Sequence, residues 1–314
     1  MKDLHILPRI RDSWSYLYLE RCRIEQDDRS VAAFDARGKV KVPCASLTLL
    51  MLGPGTTITH AAVRALAENG CLVVWTGEDG MRFYAQGMGE TRSALNLYHQ
   101  ARLWADPGSR RDVAFRLYHM RFEEPIDPSL SLAQIRGMEG LRVRAAYEKA
   151  SEETGVGWRG RSYRRDRWEV ADPVNRALSA ANACLYGVCH AALVSAGFSP
   201  AFGFIHSGKI LSFVYDVADL YKTEVTIPTA FRCVASGADT LEQRVRRACR
   251  HAFREARLLQ RIVPDVEFAL AMRRARASLD SAFDSDQALP GALWDPEGEI
   301  QGGVNWAQPS TEDE

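Results

Sequence analysis

The sequence predicts an α+β protein. A small N-terminal β domain with one helix spans residues 1–87, a larger all-α domain spans 88–280, and an acidic C-terminal tail spans 281–314. Three observations predict this. The chain has 314 residues, more than one core usually organises. Up to residue 87 its apolar residues come in short runs at strand spacing. From Arg92 onward they recur at the helical period. A composition of 46% hydrophobic and 25% charged residues excludes disorder for most of the chain.

In chain order, Tyr16–Ile24 alternates apolar and polar residues, as a half-buried strand does. Val31–Phe34, Lys39–Val42 and Leu47–Leu52 follow, with Asp35–Gly38 turning between the first two. Thr59 is placed to cap a helix that Asn69-Gly70 ends. A buried strand over Cys71–Thr76, a turn at Glu78–Gly80 and a strand over Met81–Gln86 complete the domain, and Gly87–Thr91 reads as the linker. Helices are predicted over 93–104, 110–121, 131–153, 173–197, 211–221, 239–259 and 264–279. Ser131 and Gln134 fit a capping box. Asp172-Pro173 sets a cap before a first-turn proline, and Gly197 closes that helix. Residues 155–171 read as irregular. The tail carries few apolar anchors (Leu293, Trp294, Val304, Trp306) and is expected to be unstructured until it meets a partner.

The seven cysteines are odd in number and form no CxxC pair, which predicts neither a disulfide framework nor a zinc ribbon. The most apolar stretch, Ala181–Phe198, contains Asn182 and His190 and is short for a bilayer, so no membrane span is expected. The first residues carry charges within their apolar run, unlike a secretory signal. A reduced, cytoplasmic protein is expected. Formal net charge is zero, yet residues 277–314 hold nine Asp or Glu and no Lys or Arg. Residues 1–276 therefore set all 40 basic side chains against 31 acidic ones, a formal +9. A basic body with an acidic tail fits a nucleic-acid binder; a solvated surface with an unstructured tail has the same charge statistics.

Four features can carry chemistry. Glu139 lies in a predicted helix between Gly137 and Gly140. Each interior glycine costs about 1 kcal/mol relative to alanine, a cost that close approach of another backbone to the carboxylate would justify. Alone, the pattern also suits a solvated glutamate at a glycine helix crossing. His206 sits in a Gly/Pro-rich loop with Lys209, a better setting for chemistry than an apolar helix face. Asp216, Asp219 and Lys222 step by three along one helix face, either as an ordinary salt bridge or as part of a cation site. Carboxylates with one imidazole form a mixed O/N donor set that suits Mg²⁺ or Mn²⁺, ions that activate an attacking hydroxyl at phosphorus. There is no GxxxxGK[ST] loop for nucleotide phosphates and no G-x-S-x-G elbow. Finally, Arg159, Arg161, Arg164, Arg165 and Arg167 interleave with Trp158, Tyr163 and Trp168, which offers charge for phosphates and rings for bases. Arg246, Arg250, Arg254 and Arg257 form a basic stripe at helical spacing, a pattern that a solvated helix face shares.

The strings PGTTITHAAVRALA, RGMEGLRVRAAY, CLYGV, GFIHSGK and LSFVYDVADLYK, in that order from about Pro8 to Val263, resemble the CRISPR-associated integrase/endonuclease family, the catalytic subunit of the spacer-acquisition complex, in its type I-E branch. The resemblance implies a β domain that dimerises and a helical catalytic domain whose metal ligands map to Glu139, His206 and Asp219. Asp216 maps to a neighbouring acid that matters for activity. Arg82, Tyr163, Trp168, Tyr186, Lys209, Tyr215, Lys222 and Arg246 fall at positions like the family's DNA-contacting or site-lining residues. Arg21 stands where a related protein stacks a tyrosine on the duplex end; its guanidinium makes a flatter wedge. The implied partners are double-stranded DNA with 3′ ends, CRISPR repeat DNA, a second copy of the chain, and a small ferredoxin-like subunit, which the tail's tryptophans would contact. The implied reaction is joining of 3′-hydroxyl ends to the repeat by transesterification. A stand-alone metal nuclease on branched DNA and a non-catalytic DNA scaffold are the alternatives.

Overall fold

The structure is a computed structural model that describes residues 16–28, 30–42, 44, 47–78, 82–87, 94–161, 172–237, 239–272, 293–296 and 298–300. Its N-terminal part holds two four-stranded sheets. One has strand order β1 (Tyr16–Leu19), β5 (Leu49–Leu52), β7 (Leu72–Thr76), β8 (Phe83–Gly87). The other runs β4 (Gly38–Val42), β3 (Ser30–Asp35), β2 (Arg23–Asp27), β6 (Thr57–Ile58). The run Tyr16–Ile24 is thus two strands rather than one. Arg21, at φ 51°, breaks it, and the chain turns from one sheet into the other. That left-handed backbone places the exposed Arg21 at the corner, its N–H donating to the Pro54 carbonyl (3.0 Å).

Helix α1 (His60–Glu68) is capped by Thr59, as its sequence predicts, and packs against strands of both sheets. Alternation along β5 and β7 divides two cores. Leu50, Leu52 and Val73 face α1 and the second sheet. Leu49, Met51, Leu72 and Val74 face the helical part, where they meet Ala191 and Val194. With both faces covered, β5 is buried at every position, which explains its unbroken apolar run.

The helical part comprises α2 (Leu95–Ala105), α3 (Pro107–His119), α4 (Leu132–Thr154), α5 (Pro173–Ser195), α6 (Ser212–Ala218), a π-helical turn (Lys222–Thr226), α7 (Ile227–Ala235), α8 (Leu241–Glu255) and α9 (Leu258–Ala269). The capping box at Ser131 and the Asp172 cap both form. Helix α5 is the hub and packs on α6, α7, α8, α9 and the first sheet. It is long and apolar enough to cross a membrane, but 72% of its most apolar window is buried inside the fold, as befits a core helix. All seven cysteines are buried thiols.

Several boundaries differ from expectation. Helix α7 lies outside the predicted helices; its Pro228 occupies the first turn, where no N–H is needed. The predicted helix over 239–259 ends at Glu255. Arg257 adopts φ 49°, and α9 starts at Leu258 with Pro264 inside it, its ring on the exposed side. The basic stripe therefore keeps Arg246, Arg250 and Arg254 on α8, while Arg257 lies past its end. The predicted helix over 211–221 stops at Ala218. The tail was expected to lack structure, but Leu293–Asp295 (β9) and Gly298–Ile300 (β10) pair as an antiparallel hairpin. The intervening Asp-Pro-Glu-Gly has the composition of a turn.

Candidate active site

Four elements converge on one acidic cluster: the end of α3, the middle of α4, the α5–α6 loop and the C-terminus of α6. The loop is fixed first. The buried Gln100 on α2 donates to the Ser199 and Phe202 carbonyls (3.0 and 3.3 Å) and accepts from the Ser199 N–H (2.8 Å). Trp104 Nε1 and Arg110 Nη2 both donate to the Gly203 carbonyl at 3.1 Å. A Cβ on Gly203 would stand 2.5 Å from the His206 carbonyl oxygen and 2.7 Å from Ser212 Cβ, so only glycine fits this fold-back.

Asp216 then holds the loop from below. It is fully buried, at 0% exposure. Its Oδ2 accepts the N–H groups of Phe204 (2.6 Å) and Ile205 (3.0 Å). Its Oδ1 accepts the His206 N–H (2.8 Å) and lies 2.7 Å from His206 Nδ1. With Nδ1 held by a carboxylate, Nε2 is the ring nitrogen left to act, and it lies 4.0 Å from Asp219 Oδ2. Asp216 and Asp219 therefore do not share a cation as neighbours on one face. One anchors the loop and the other faces the site.

Glu139 on α4 meets two arginines. Arg142 donates to Oε2 (2.8 Å) and Oε1 (3.0 Å), and its Nη1 donates to Thr223 Oγ1 (2.9 Å). Arg121, only 2% exposed, reaches Glu139 Oε1 (3.3 Å) and Asp219 Oδ2 (3.5 Å) through one nitrogen. Lys222 Nζ lies 2.5 Å from Asp219 Oδ1 and 5.0 Å from the Tyr186 ring centroid. Burial pulls the Lys222 ammonium down, but the Asp219 charge and its hydrogen bonds outweigh this and hold it above its ordinary value. Tyr215 stacks edge-on to Tyr186 (4.9 Å) and to His206 (5.9 Å), closing the wall.

Two carboxylates and a free imidazole nitrogen are a suitable donor set for a divalent cation, and three side-chain cations already converge on these acids. As arranged, however, the carboxylates face those cations. Among the described residues, no three His, Cys, Asp or Glu side chains are grouped closely enough to hold an ion. Gly137 and Gly140, expected to admit a neighbouring backbone or a helix crossing, meet nothing within 4 Å of a Cβ position; they leave the exposed side of α4 open around Glu139.

The chain is similar to known proteins. A family model described as CRISPR associated protein Cas1 matches residues 118–252, which include Glu139, His206, Asp216 and Asp219. A CRISPR-associated endonuclease Cas1 of Thermus thermophilus is 54% identical over 303 residues, covering 96% of this chain and 93% of the relative. The chain belongs to the Cas1 family. The CRISPR-associated endonuclease Cas1 of Escherichia coli is 40% identical over 263 residues, covering 83% of this chain and 86% of that one. The crystal structure of a TtCas1–DNA complex matches with TM-score 0.78 and 56% identity, covering 84% of this chain and 99% of that chain.

Within this Cas1 chain, Lys222 lies against Asp219, Tyr186 beside Lys222, and Tyr215 beside Tyr186 and His206. Lys209 is exposed on the same loop as His206. Arg82 is exposed on the turn before β8, in the β-rich part. Arg246 and Arg250 lie half-buried on α8. Arg161 is exposed just after α4, within 3.4 Å of Asn175 Oδ1. Tyr163, Arg164, Arg165, Arg167 and Trp168 lie outside the described residues. Trp158 is not free for a base: it stacks on Tyr147 (4.4 Å) against the helical core. Arg121, Arg142, Gln100 and Gly203 were missed. Only Gly203 left a local signal, in the run Phe-Gly-Phe-Ile-His.

Proposed function

We propose that this chain is a metal-dependent DNA integrase and endonuclease of CRISPR adaptation, of the type I-E branch, and that Glu139, His206 and Asp219 hold its Mg²⁺ or Mn²⁺. The observation that carries this reading is the meeting of Glu139 from α4 and Asp219 from the end of α6 at Arg121, with Nε2 of the loop-fixed His206 4.0 Å from Asp219 Oδ2. In the proposed reaction the 3′-hydroxyl of a captured DNA fragment attacks a phosphodiester at a CRISPR repeat boundary. A P–O bond forms to the attacking 3′-oxygen and the P–O bond within the repeat strand breaks. The attacking hydroxyl gives up a proton and the departing 3′-oxygen takes one. One phosphodiester replaces another, so no nucleotide is consumed. Held by Glu139, His206 and Asp219, an ion would supply Lewis-acid polarisation of the phosphoryl oxygen and activation of the hydroxyl.

The chain's own residues do the rest. Asp216 keeps the His206 ring in one tautomer and one orientation. Lys222 and Arg142 place positive charge where the phosphate backbone arrives. Tyr186 and Tyr215 restrict water on one side. Lys209, Arg82, Arg161, Tyr163, Arg164, Arg165, Trp168, Arg246 and Arg250 extend DNA contact away from the acids. Two ends of one fragment need two sites, which supports a homodimer through the N-terminal β domain (1–87). Residues 88–280 would act as catalytic domain, and a small ferredoxin-like subunit would bridge two dimers with the tail's help. The site's chemistry and the buried position of α5 suit a cytoplasmic enzyme.

Strand transfer tests this. The purified chain, the small subunit, Mn²⁺ and a short duplex with free 3′ ends are mixed with a supercoiled plasmid that carries the repeat. Covalent joining that Glu139→Ala and Asp219→Ala abolish is the expected result. Cleavage of branched DNA without dependence on repeat or partner would make the chain a stand-alone nuclease. DNA binding without joining or cleavage would make it a scaffold.

A further inference from the structure

The three cations at the acidic cluster are not equivalent. Arg142 and Lys222 keep 22% and 25% of their side chains exposed, so each can swing off its carboxylate into solvent. Arg121 keeps 2%. It follows the C-terminus of α3, its guanidinium lies over the Tyr118 ring (5.0 Å), and its Nη2 donates to the Asp216 carbonyl (3.2 Å). One Arg121 nitrogen thus serves α4 and Asp219 while the other serves the α6 backbone. Its Nε–H is buried without a partner among the described residues, a cost that a purely stabilising arginine would not carry.

We propose that Arg121 is a positioning residue of the active site: its fork ties Glu139 and Asp219 to the α6 main chain and stays in place when the ion binds, whereas Arg142 and Lys222 give way and let the acids close on the ion. This rests on the reading of Glu139, His206 and Asp219 as ligands. Arg121, Arg142 and Lys222 pair with Glu139 and Asp219, so side-chain cations already counter both acids. A divalent ion adds positive charge to the cluster and frees Arg142 and Lys222 for a phosphate. The ion and the DNA backbone are thereby coupled: the ion displaces cations that the backbone then takes up. An ammonium cannot replace Arg121, because only a planar fork reaches both a side-chain and a main-chain acceptor in fixed directions.

The sign of the effect on metal binding tests this. Mn²⁺ binding to the full chain is measured by calorimetry without DNA. If Arg121 only filled the ion's place, removing it would tighten binding, as removing Lys222 should. As a positioning residue, its loss weakens binding although a positive charge has gone. The expected result is that Lys222→Met tightens Mn²⁺ up to about fivefold, while Arg121→Met weakens it about tenfold to a hundredfold. Arg121→Lys should also weaken it, and it stands alone as the test if Arg121→Met fails to give the wild-type circular dichroism spectrum. Wild-type or tighter Mn²⁺ binding by a folded Arg121 variant, with Glu139→Gln and Asp219→Asn still abolishing uptake, overturns the proposal and leaves the ligand assignment intact. Uptake that Glu139→Gln does not diminish, or none in the wild type, overturns both.

Discussion

Asp216 holds His206 twice: through the imidazole Nδ1 at 2.7 Å and through the main-chain N–H at 2.8 Å, with the same carboxylate oxygen. The other oxygen holds the two residues before it. The charge of this buried acid is thus fully engaged by donors, and the ring direction follows from the backbone rather than from a free side-chain torsion.

Asp216→Asn puts an NH₂ against two main-chain N–H donors in one orientation and against the His206 N–H in the other. The expected cost is about 1–3 kcal/mol of stability, with Mn²⁺ affinity reduced about tenfold or more through loss of the fixed ring. Thermal unfolding reads the first and calorimetry the second. A variant with wild-type Mn²⁺ affinity would show that the loop orients His206 without Asp216.

Gly203→Ala should move the loop without touching a reacting group. Its Cβ would meet the His206 carbonyl and Ser212 at distances that backbone must absorb, at a cost of about 1–3 kcal/mol. Strand transfer should fall while DNA binding in metal-free buffer holds. Unchanged transfer would refute the close-packed fold-back.

Gly137→Ala and Gly140→Ala work the other way. Both positions are exposed and open, so alanine should raise stability by about 1 kcal/mol at each. Strand transfer should nevertheless fall, because the added methyls line the open side of α4 where DNA would approach Glu139. A double variant that is more stable and fully active would assign these glycines no part in substrate approach.

His190 makes the joint between the two parts pH-sensitive. It projects from α5, its ring stacked on Phe83 of β8 at 3.8 Å. Burial pushes its pKa down to about 4. A histidine held neutral in the fold binds fewer protons than the unfolded chain, so its contribution is complete above the ordinary pKa near 6.5. It is lost as pH falls toward 4, by at most about 3 kcal/mol. Urea unfolding at stepped pH should show this slope, and His190→Phe should flatten it. An unchanged slope in the variant would place the pH sensitivity elsewhere.

Much of this was legible along the chain because it is local. Thr59, Ser131 and Asp172 cap helices through bonds to residues three positions on, which a short window of sequence contains. The unbroken apolar run of β5 announces a strand covered on both faces. Glu139, His206 and Asp219 stand out as an acid between glycines, a histidine in a small-residue loop and an acid at helical spacing. Helix α7 was hidden because a proline breaks a helix or begins one according to the turn it occupies. The split at Arg21 was hidden because alternation of side chains does not record a change of sheet.

What the sequence determined by itself is therefore the order of most elements, three helix caps, a β-rich part followed by a helical part, and the residue types able to bind a cation. Only the tertiary structure decided which of those residues meet. Asp216 and Asp219 are one helical turn apart, yet one anchors a loop and the other faces the site. Arg121 lies 18 residues from Glu139 and 95 from Asp216, and it bonds to both. Such contacts depend on how α3, α4 and α6 pack, and packing is set by apolar area summed over the whole core around α5, a quantity that no single stretch of sequence contains.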